Sequence, residues 1–254
     1  MQTRRIGVIN DIHLPIHDPK ALNLALDVFQ DVGITDLVIN GDALDFYLVN
    51  SHGPKHPDIQ FLLEDEFKAG NDFLDELQDR FSKSNIFFNS GNHCNRLDRF
   101  IINKCPQFWN VVSVKGMLNL EGRGIPYHEY NRPWNVKGTD LFIQHSPPSY
   151  GENGARTSLL KKFGGSWIFG CTHRMQQSHI RRPDGSLCSA YFNGWLGSTS
   201  LTDQHRRVFE YTKGHENWQQ GFAVVDVIGS QYFVHQCLIK NYQTTLDGHL
   251  YDGR

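Results

Sequence analysis

The sequence predicts an α/β fold in which two mixed β-sheets pack together and helices cover them on the outside. Two observations indicate this architecture. In the first two-thirds of the chain, short unbroken apolar runs bounded by Gly, Asn and Pro alternate with longer segments of helical periodicity, as buried strands and helices do. After residue 173 the pattern changes to short alternating segments rich in Gly and aromatic residues, which is typical of antiparallel strands.

Five of the apolar runs end in residues that are able to hold a metal ion or a phosphate group. The runs IGVIN, LVIN, IFFNS, LFIQ and WIF lead, in that order, into Asp11-Ile12-His13, Gly41-Asp42, Gly91-Asn92-His93, His145 and Gly170-Cys171-Thr172-His173. Because α/β sheets place ligand sites beyond the carboxyl ends of their strands, we expect the five ends to converge on one polar site. Carboxylate, amide and imidazole groups bind cations such as Mn, Zn, Fe or Ni. The set suits two cations that share one carboxylate.

Four helices and two hairpins are predicted around these strands. The helices are expected from Asp18-Pro19 to Gly33, over residues 59–81, directly after His93, and over residues 154–163. Asp18 and Pro19 form an N-cap and first-turn pair, and apolar residues then recur at helical spacing until Gly33. Hairpin turns are indicated at residues 182–185 and 229–230, with a further strand expected within residues 205–214.

At the strand ends the chain resembles the calcineurin-like metallophosphoesterase superfamily, whose motifs are D-x-H, GD-x-x-D, GNH followed by an acidic residue, a single H, and GH-x-H. The matching residues are Asp11 and His13; Gly41, Asp42 and Asp45; Gly91, Asn92 and His93; His145; and Gly170 and His173. Each motif is weak alone, but all five occur in order at the ends of apolar runs. The resemblance implies a four-layer α/β sandwich.

The resemblance also implies a role for each matching residue. The first of two metal ions would be held by Asp11, His13, Asp42 and His173, and the second by Asp42, Asn92, His145 and the side chain at position 171. Asp42 would thus be the bridging ligand. His93 would not bind metal but would contact the substrate and protonate the leaving group, while Asp45 orients it.

Two cysteines depart from the family pattern. Cys171 stands where the family has His, and Cys94 stands where it usually has an acidic residue. Cys171 would ligate the second metal as a thiolate, which favours Zn or Fe over Mn or Mg; the alternative is a small packing residue beside a weak second site. We favour ligation because the strand end places Cys171 where the imidazole would be. Cys94 is expected to pack behind His93.

Composition limits the other possibilities. The chain of 254 residues has 39% hydrophobic residues and no linker-like segment, so we expect a single domain over residues 1–254. With 25 basic against 27 acidic residues, it lacks the broad positive face of a duplex-binding protein. Five cysteines without C-x-x-C spacing indicate reduced thiols. The apolar runs are too short for a membrane span or a signal peptide, which favours a cytoplasmic location.

Several other side chains are candidates for substrate contacts. Arg96 lies one helical turn beyond His93, and Tyr150 lies in the loop directly after His145. The alternative for Arg96 is a solvated surface cation, and most aromatic residues of the chain belong to a core. The loop residues His52 and His56 would line the mouth of the site or simply be exposed.

The predicted function is the metal-dependent hydrolysis of a phosphoester by metal-bound hydroxide, as the resemblance implies. A phosphodiester is the favoured substrate, as a nucleotide or a nucleic-acid end, because compact relatives without a cap domain often act on such groups. Phosphomonoesters, including phosphoproteins, are the catalytic alternative. A non-catalytic binding module with the same fold is the other alternative, motivated by Cys171. No membrane partner is expected.

Overall fold

A computed structural model describes residues 3–51, 55, 59, 61–162, 164–198 and 217–254. The strands are β1 Thr3–Ile9, β2 Asp36–Asn40, β3 Asn85–Asn89, β4 Tyr127–His128, β5 Trp134–Asn135, β6 Leu141–Gln144, β7 Ser166–Phe169, β8 Met175–Arg181, β9 Leu187–Asn193, β10 Gly221–Ile228, β11 Gln231–Leu238, β12 Gln243–Leu246 and β13 His249–Asp252. The helices are α1 Pro19–Val32, α2 Leu63–Arg80, α3 Cys94–Lys104, α4 Val114–Met117 and α5 Gly154–Lys161, with 3₁₀ turns at Tyr47–Val49 and Pro106–Phe108.

Two mixed sheets form the centre of the fold, as predicted. The first has the order β11-β10-β1-β2-β3-β4, in which β1 to β4 are parallel and β10 and β11 are antiparallel. The second has the order β5-β6-β7-β9-β8, in which β6, β7 and β9 are parallel. Three motif-bearing strands, β1, β2 and β3, are parallel in the first sheet, and the other two, β6 and β7, are parallel in the second. Within each sheet their carboxyl ends therefore lie on the same edge.

The strands after residue 173 were expected to pair antiparallel, and this expectation is only partly correct. Hairpins β8–β9 and β10–β11 form at the predicted turns. However, β9 also joins β7 in parallel, and β10 crosses to the first sheet to pair with β1. A third hairpin, β12–β13, has no counterpart in the predictions. The strand expected within residues 205–214 lies outside the described residues.

Apolar side chains divide the molecule into four layers. Side chains of both sheets interdigitate in a shared core that includes Ile6, Val8, Ile143, Ile168 and Val225. The opposite face of the first sheet packs against α1, α2 and α3, and α5 packs against the outer face of the second sheet. The order is therefore helices, sheet, sheet, helix. None of the helices in the described residues is long and apolar enough to cross a bilayer.

The predicted helices are present, with shifted ends. The second begins at Leu63, four residues after the predicted start, and the fourth ends at Lys161, with Phe163 outside the described residues. Gly70 lies at the middle of α2 for a packing reason, because a Cβ there would come within 2.9 Å of side-chain atoms of Leu44 and Leu118. The helix approaches the loop after β2 closely as a result.

Asp18 fixes the beginning of α1 and also holds the chain's C-terminal part. Its Oδ1 accepts hydrogen bonds from the backbone N–H groups of Lys20 and Ala21, at 3.1 and 3.2 Å. Its Oδ2 accepts hydrogen bonds from the Gln220 amide and the Tyr242 hydroxyl, at 2.9 and 3.2 Å. The helix ends at Gly33, whose φ of 65° is left-handed.

Asp18→Ala should lower the free energy of unfolding by about 1 to 2 kcal/mol, because a lost N-cap alone costs about that much. Urea denaturation of the wild type and the variant measures the difference. Glu152→Ala, which removes an exposed loop carboxylate, is the matched control and should change the free energy by less than about 0.5 kcal/mol. Equal effects of the two changes would contradict the capping role.

Candidate metal centre

The predicted ligands lie on tight turns just beyond the parallel strands. Five of them have left-handed backbone conformations, namely Asp11, His13, Asp42, Cys171 and His173, with φ values between 50° and 66°. A non-glycine residue in this region costs of order 1 kcal/mol or more and persists only where its surroundings enforce it. Such outliers cluster at functional sites. Here they aim the side chains of separate strands at one point.

One group of donor atoms comes from β1 and β7. The Nε2 atoms of His13 and His173 lie 3.2 Å apart, and the Asp11 Oδ1 lies 3.1 Å from the His173 Nε2 and 3.8 Å from the His13 Nε2. Two imidazole nitrogens that face each other at this distance present two lone pairs unless one of the two nitrogens carries a proton. A cation bound by both rings and the carboxylate satisfies all three groups.

A second group comes from the ends of β2, β3 and β6. The His145 Nε2 lies 2.9 Å from the Asp42 Oδ2 and 2.9 Å from the Asn92 Oδ1. The His145 Nδ1 lies 2.7 Å from the backbone carbonyl oxygen of Asn40, to which it donates. This hydrogen bond fixes the tautomer and leaves Nε2 as the atom that faces the other donors, as in many metal-binding histidines.

Asp11 lies between the two groups. Its Oδ1 is 3.8 Å from the His145 Nε2 as well as 3.8 Å from the His13 Nε2. Asp42 lies with the second group, where its Oδ2 contacts His145 and its Oδ1 accepts the backbone N–H of His93 at 2.8 Å. The assignment of Asp42 as the bridging ligand therefore stays a prediction.

The carboxylates of Asp11 and Asp42 are buried, and their ion-pair partners among the described residues are all histidines. Burial alone would raise the pKa of both carboxyl groups, but the neighbouring imidazoles outweigh it and lower the pKa, His145 acting on each. Buried carboxylates are costly unless they are paired with positive charge. The oxygen, nitrogen and sulfur donors present are of the kinds that bind divalent metal ions.

Three glycines of the motifs are required by close approach. A Cβ at Gly91 would lie 2.0 Å from the Asp42 Oδ1, and one at Gly170 would lie 2.7 Å from the Asp11 Oδ2. A Cβ at Gly41 would lie 2.4 Å from the His145 ring. Any larger residue would displace a predicted ligand, so these glycines are part of the site.

His93 lies beside the two donor groups and belongs to neither of them. Its Nδ1 donates to the backbone carbonyl oxygen of Asp45 at 2.8 Å and lies 3.2 Å from the Asp45 Oδ2. Its Nε2 lies 3.7 Å from the Asp42 Oδ2. The same Asp45 Oδ2 lies 2.9 Å from the His13 Nδ1. Asp45 therefore contacts both His93 and the predicted metal ligand His13, whereas the resemblance implied only the first contact.

Cys171 reaches the second donor group. Its Sγ lies 2.9 Å from the Asn92 Oδ1, and its backbone N–H donates to the Asp11 Oδ2 at 2.8 Å. Burial raises the pKa of the thiol, and the nearby His145 opposes that rise. The geometry is compatible with ligation, which stays a prediction. Cys94 is fully buried in the core behind His93, where burial raises its pKa to about 12, as expected of a packing residue.

The predicted substrate contacts differ in their placement. Arg96 donates from its Nη1 to the Asp45 carbonyl oxygen at 3.0 Å and lies 3.5 Å from the Asp45 Oδ1, so it supports the residue that holds His93. Tyr150 is 53% exposed, at the side of the site that carries Cys171. His52 and His56 lie outside the described residues.

Three supporting groups were not foreseen from the sequence. Asn10 donates to the Asp11 Oδ2 at 2.6 Å. The indole of Trp195 stacks on the His173 ring, with 4.8 Å between the ring centroids. Trp218 meets the same ring edge-on, with 4.4 Å between the centroids. For Asn10 a local signal exists, because it ends the first apolar run and directly precedes Asp11. The Trp contacts have no local signal, because they depend on segments distant in the chain.

Glu66 is the third such group, and it supports the loop that carries Asp45. The side chain is fully buried on α2, and its Oε2 accepts the backbone N–H of Phe46 at 2.5 Å. Phe46 itself has a left-handed φ of 55°. Burial, helped by the nearby Asp45 charge, raises the pKa of Glu66 to about 9. A neutral carboxylic acid therefore holds this turn at neutral pH.

Comparisons with known proteins bear on the fold of this chain. No protein-family model matches the chain. The Gene 54 proteins of Mycobacterium phages L5 and D29 are 22% and 21% identical to it, and each alignment covers 98% of this chain and 99% of the phage protein. Vacuolar Protein Sorting 29 from Cryptosporidium parvum superposes with a TM-score of 0.50 at 12% identity, covering 98% of both chains. The fold is that of the calcineurin-like metallophosphoesterases.

A phosphoesterase from E. coli, YfcE, is also similar, with a TM-score of 0.42, 17% identity, and coverage of 93% of this chain and 100% of that one. At 12% identity, the superposition with Vacuolar Protein Sorting 29 shows the fold alone and not an activity. The reaction has to be argued from the site of this chain.

Glu66→Ala should lower the free energy of unfolding by about 1 to 3 kcal/mol, because it leaves the Phe46 N–H without its partner in a buried place. Glu66→Gln keeps a neutral acceptor and should retain most of the stability. The folded carboxyl stays protonated while the unfolded one ionises, so wild-type stability should fall as the pH rises from about 4.5 towards 9.

Thermal unfolding of the wild type and both variants between pH 5 and pH 9 measures these effects. The Glu66→Gln variant should show the flatter dependence of Tm on pH over this range. A wild-type Tm that rises steadily up to pH 9, with no difference from Glu66→Gln, would contradict a neutral Glu66.

Cys171→His should move the metal preference of the second site from Zn or Fe towards Mn, because a nitrogen replaces a soft sulfur donor. A coordinating thiol must also deprotonate, so metal content of the wild type should fall at low pH more than that of Cys171→His. Metal stoichiometry after loading with each ion, for the wild type, Cys171→His and Cys171→Ser, measures this. The same ranking in all three would show that Cys171 only packs.

Proposed function

We propose that the chain is a metal-dependent phosphoesterase that hydrolyses phosphodiesters in preference to phosphomonoesters. The observation that carries the proposal is the arrangement of two adjoining donor groups with an oriented imidazole, His93, beside them. A packing role alone does not explain why buried carboxylates and imidazoles from five strand ends face one another. When bound, two divalent cations would polarise a phosphoryl group and activate water at neutral pH.

The chain's own residues would divide the work by position. Asp11, His13 and His173 would hold one cation, and Asp42, Asn92 and His145, with Cys171, would hold the other. Asn10 and the backbone N–H of Cys171 both donate to the Asp11 Oδ2, and this leaves the Oδ1 directed at the imidazoles. The ligand set is thereby preorganised rather than assembled on binding.

His93 would supply the proton to the leaving group. Its Nδ1–H is held by the Asp45 carbonyl oxygen, so Nε2 is the atom available to the substrate. The Asp45 carboxylate lies 3.2 Å from the same Nδ1 and helps to orient the ring. Arg96 in turn binds Asp45, which limits the movement of both residues.

A diester is favoured because the donor groups themselves include no Lys or Arg for the second charge of a monoester, and the basic side chains near the site lie along α3, beyond His93. Among the described residues, no Lys or Arg lies within ion-pair distance of Asp11 or Asp42, and Arg96 is engaged with Asp45. A phosphomonoester carries more negative charge than a diester and gains more from additional positive groups. A nucleotide or the end of a nucleic acid is the substrate class we propose.

A turnover screen tests the proposal. Purified protein is loaded with Mn, Zn, Fe, Ni or Mg and assayed with bis(p-nitrophenyl) phosphate and with p-nitrophenyl phosphate. Hydrolysis of the diester at the higher kcat/KM supports the proposal, and preference for the monoester would make the chain a phosphomonoesterase. Absence of turnover with every metal on both substrates would indicate a non-catalytic binding module instead.

His93→Ala should lower kcat about 100-fold to 10,000-fold while both metals remain bound, since general acid help is worth about that factor. Metal content measured beside kcat distinguishes loss of chemistry from loss of ligand. His249→Ala, an exposed histidine on β13, is the matched control and should leave kcat and metal content unchanged. Loss of metal from the His93→Ala variant would make His93 a ligand and refute its assigned role.

A further inference from the structure

A cleft of about 410 Å³ opens directly beside the candidate metal centre. Asn92, a predicted ligand of the second metal, lies at one end of it, and helix α3 forms one wall. The residues of α3 that line the cleft are Asn95, Arg96, Arg99, Phe100, Asn103 and Lys104. Arg96, Arg99 and Asn103 are spaced three or four apart, so they form a single face of the helix, and Asn92 lies just before its first turn.

The lining of the cleft is cationic and rich in amides. In the part of the chain that the structure describes, it includes three basic residues and four asparagines but no carboxylate. Among the described residues, no acidic group lies within ion-pair distance of Arg99 or Lys104, although the chain as a whole carries a net charge of −2. Positive charge is thus concentrated here against the overall balance, at the entrance to a centre that is proposed to bind phosphate.

The spread of the charges indicates a long ligand. Arg96 and Lys104 are eight residues apart on one helix, which corresponds to about 12 Å along its axis. A pyrophosphate group is shorter than that, whereas successive phosphates of a nucleic-acid strand are separated by sugars. Aromatic groups accompany the cations, since Phe100 is 38% exposed and Tyr130 also lines the cleft. Bases stack on aromatic side chains of this kind.

We propose that this cleft binds a single-stranded nucleic acid next to the phosphodiester that is cleaved. Arg99 and Lys104 would contact the phosphates beyond the scissile one, and Phe100 and Tyr130 would stack on bases. The inference deepens the proposed function and rests on it for the place of cleavage. A solvated charged helix face is the simpler account of Arg99. It does not explain why the described lining of the cleft contains no carboxylate, or why the same cleft reaches the predicted ligand Asn92.

Direct binding tests the cleft independently of hydrolysis. The probes are tetrathymidylate with phosphorothioate linkages, thymidine 5′-diphosphate and thymidine 5′-monophosphate, titrated calorimetrically into the metal-loaded protein. The tetranucleotide should bind most tightly. Arg99→Gln should raise the Kd of the tetranucleotide about tenfold, and it should change the Kd of the monophosphate less than twofold. The slope of log Kd against log salt should become shallower by about 0.7 for the phosphate contact that is lost.

Lys83→Gln is the matched control, because Lys83 is an exposed cation in the turn after α2 and far from the cleft lining. If Arg99→Gln and Lys83→Gln have equal effects on tetranucleotide binding, the inference is overturned. It is also overturned if the diphosphate binds as tightly as the tetranucleotide and is equally sensitive to Arg99→Gln, because the ligand would then be a polyphosphate.

The two proposals fail in different ways. Tight, Arg99-dependent binding of the tetranucleotide without turnover of any phosphoester would support the cleft and refute the enzyme. Turnover of simple diesters with Arg99-independent binding of the tetranucleotide would support the enzyme and refute the cleft.

Discussion

The need to neutralise two buried carboxylates governs this structure. Asp11 and Asp42 lie at the carboxyl ends of adjacent strands, shielded from water, and the groups around them are imidazoles rather than Lys or Arg. Imidazole compensates such charge only in part, and only when it is protonated. Divalent cations compensate it fully and bind through the same nitrogen and oxygen atoms. The left-handed turns and the motif glycines serve this arrangement, because they bring the carboxylates and imidazoles within about 3 to 4 Å of one another.

Around this centre, a second set of contacts determines orientation. Asp45 is the link, since its carboxylate contacts His13, its carbonyl oxygen accepts from His93, and both its carboxylate and its carbonyl oxygen lie close to Arg96. The loop that carries Asp45 is held from behind by Glu66 on α2. The predicted metal ligand His13 and the proposed acid His93 are therefore connected through one side chain, that of Asp45. Asp45 thus supports both the predicted binding of metal and the proposed transfer of a proton.

Helix α3 connects the chemistry to the cleft. It begins directly after His93, so the position of the proposed acid and the line of cationic side chains depend on one rigid element. Its inner face is anchored by Cys94, Leu97 and Ile101 in the core. A substrate held along the outer face would be placed at a fixed distance from His93, and positioning of this kind accounts for a large part of enzymatic rate enhancement.

The sequence by itself determined the five motif-bearing strands, the main helices and the candidate ligands at the strand ends. These signals are local: an apolar run, an N-cap at Asp18, a stop at Gly33, or a motif at a strand end is contained in a few neighbouring residues. The resemblance supplied the roles of Asp45 and His93, which the structure places in contact.

Only the tertiary structure decided which side chains meet. The position of Asp11 between the donor groups, the support of Asp45 by Arg96, the burial of Glu66 beneath Phe46 and the stacking of Trp195 on His173 join segments far apart in the chain. The crossing of β10 to the first sheet is of the same kind. Periodicity gives the buried face of an element but not its partner, because the partner is set by how whole layers pack against one another.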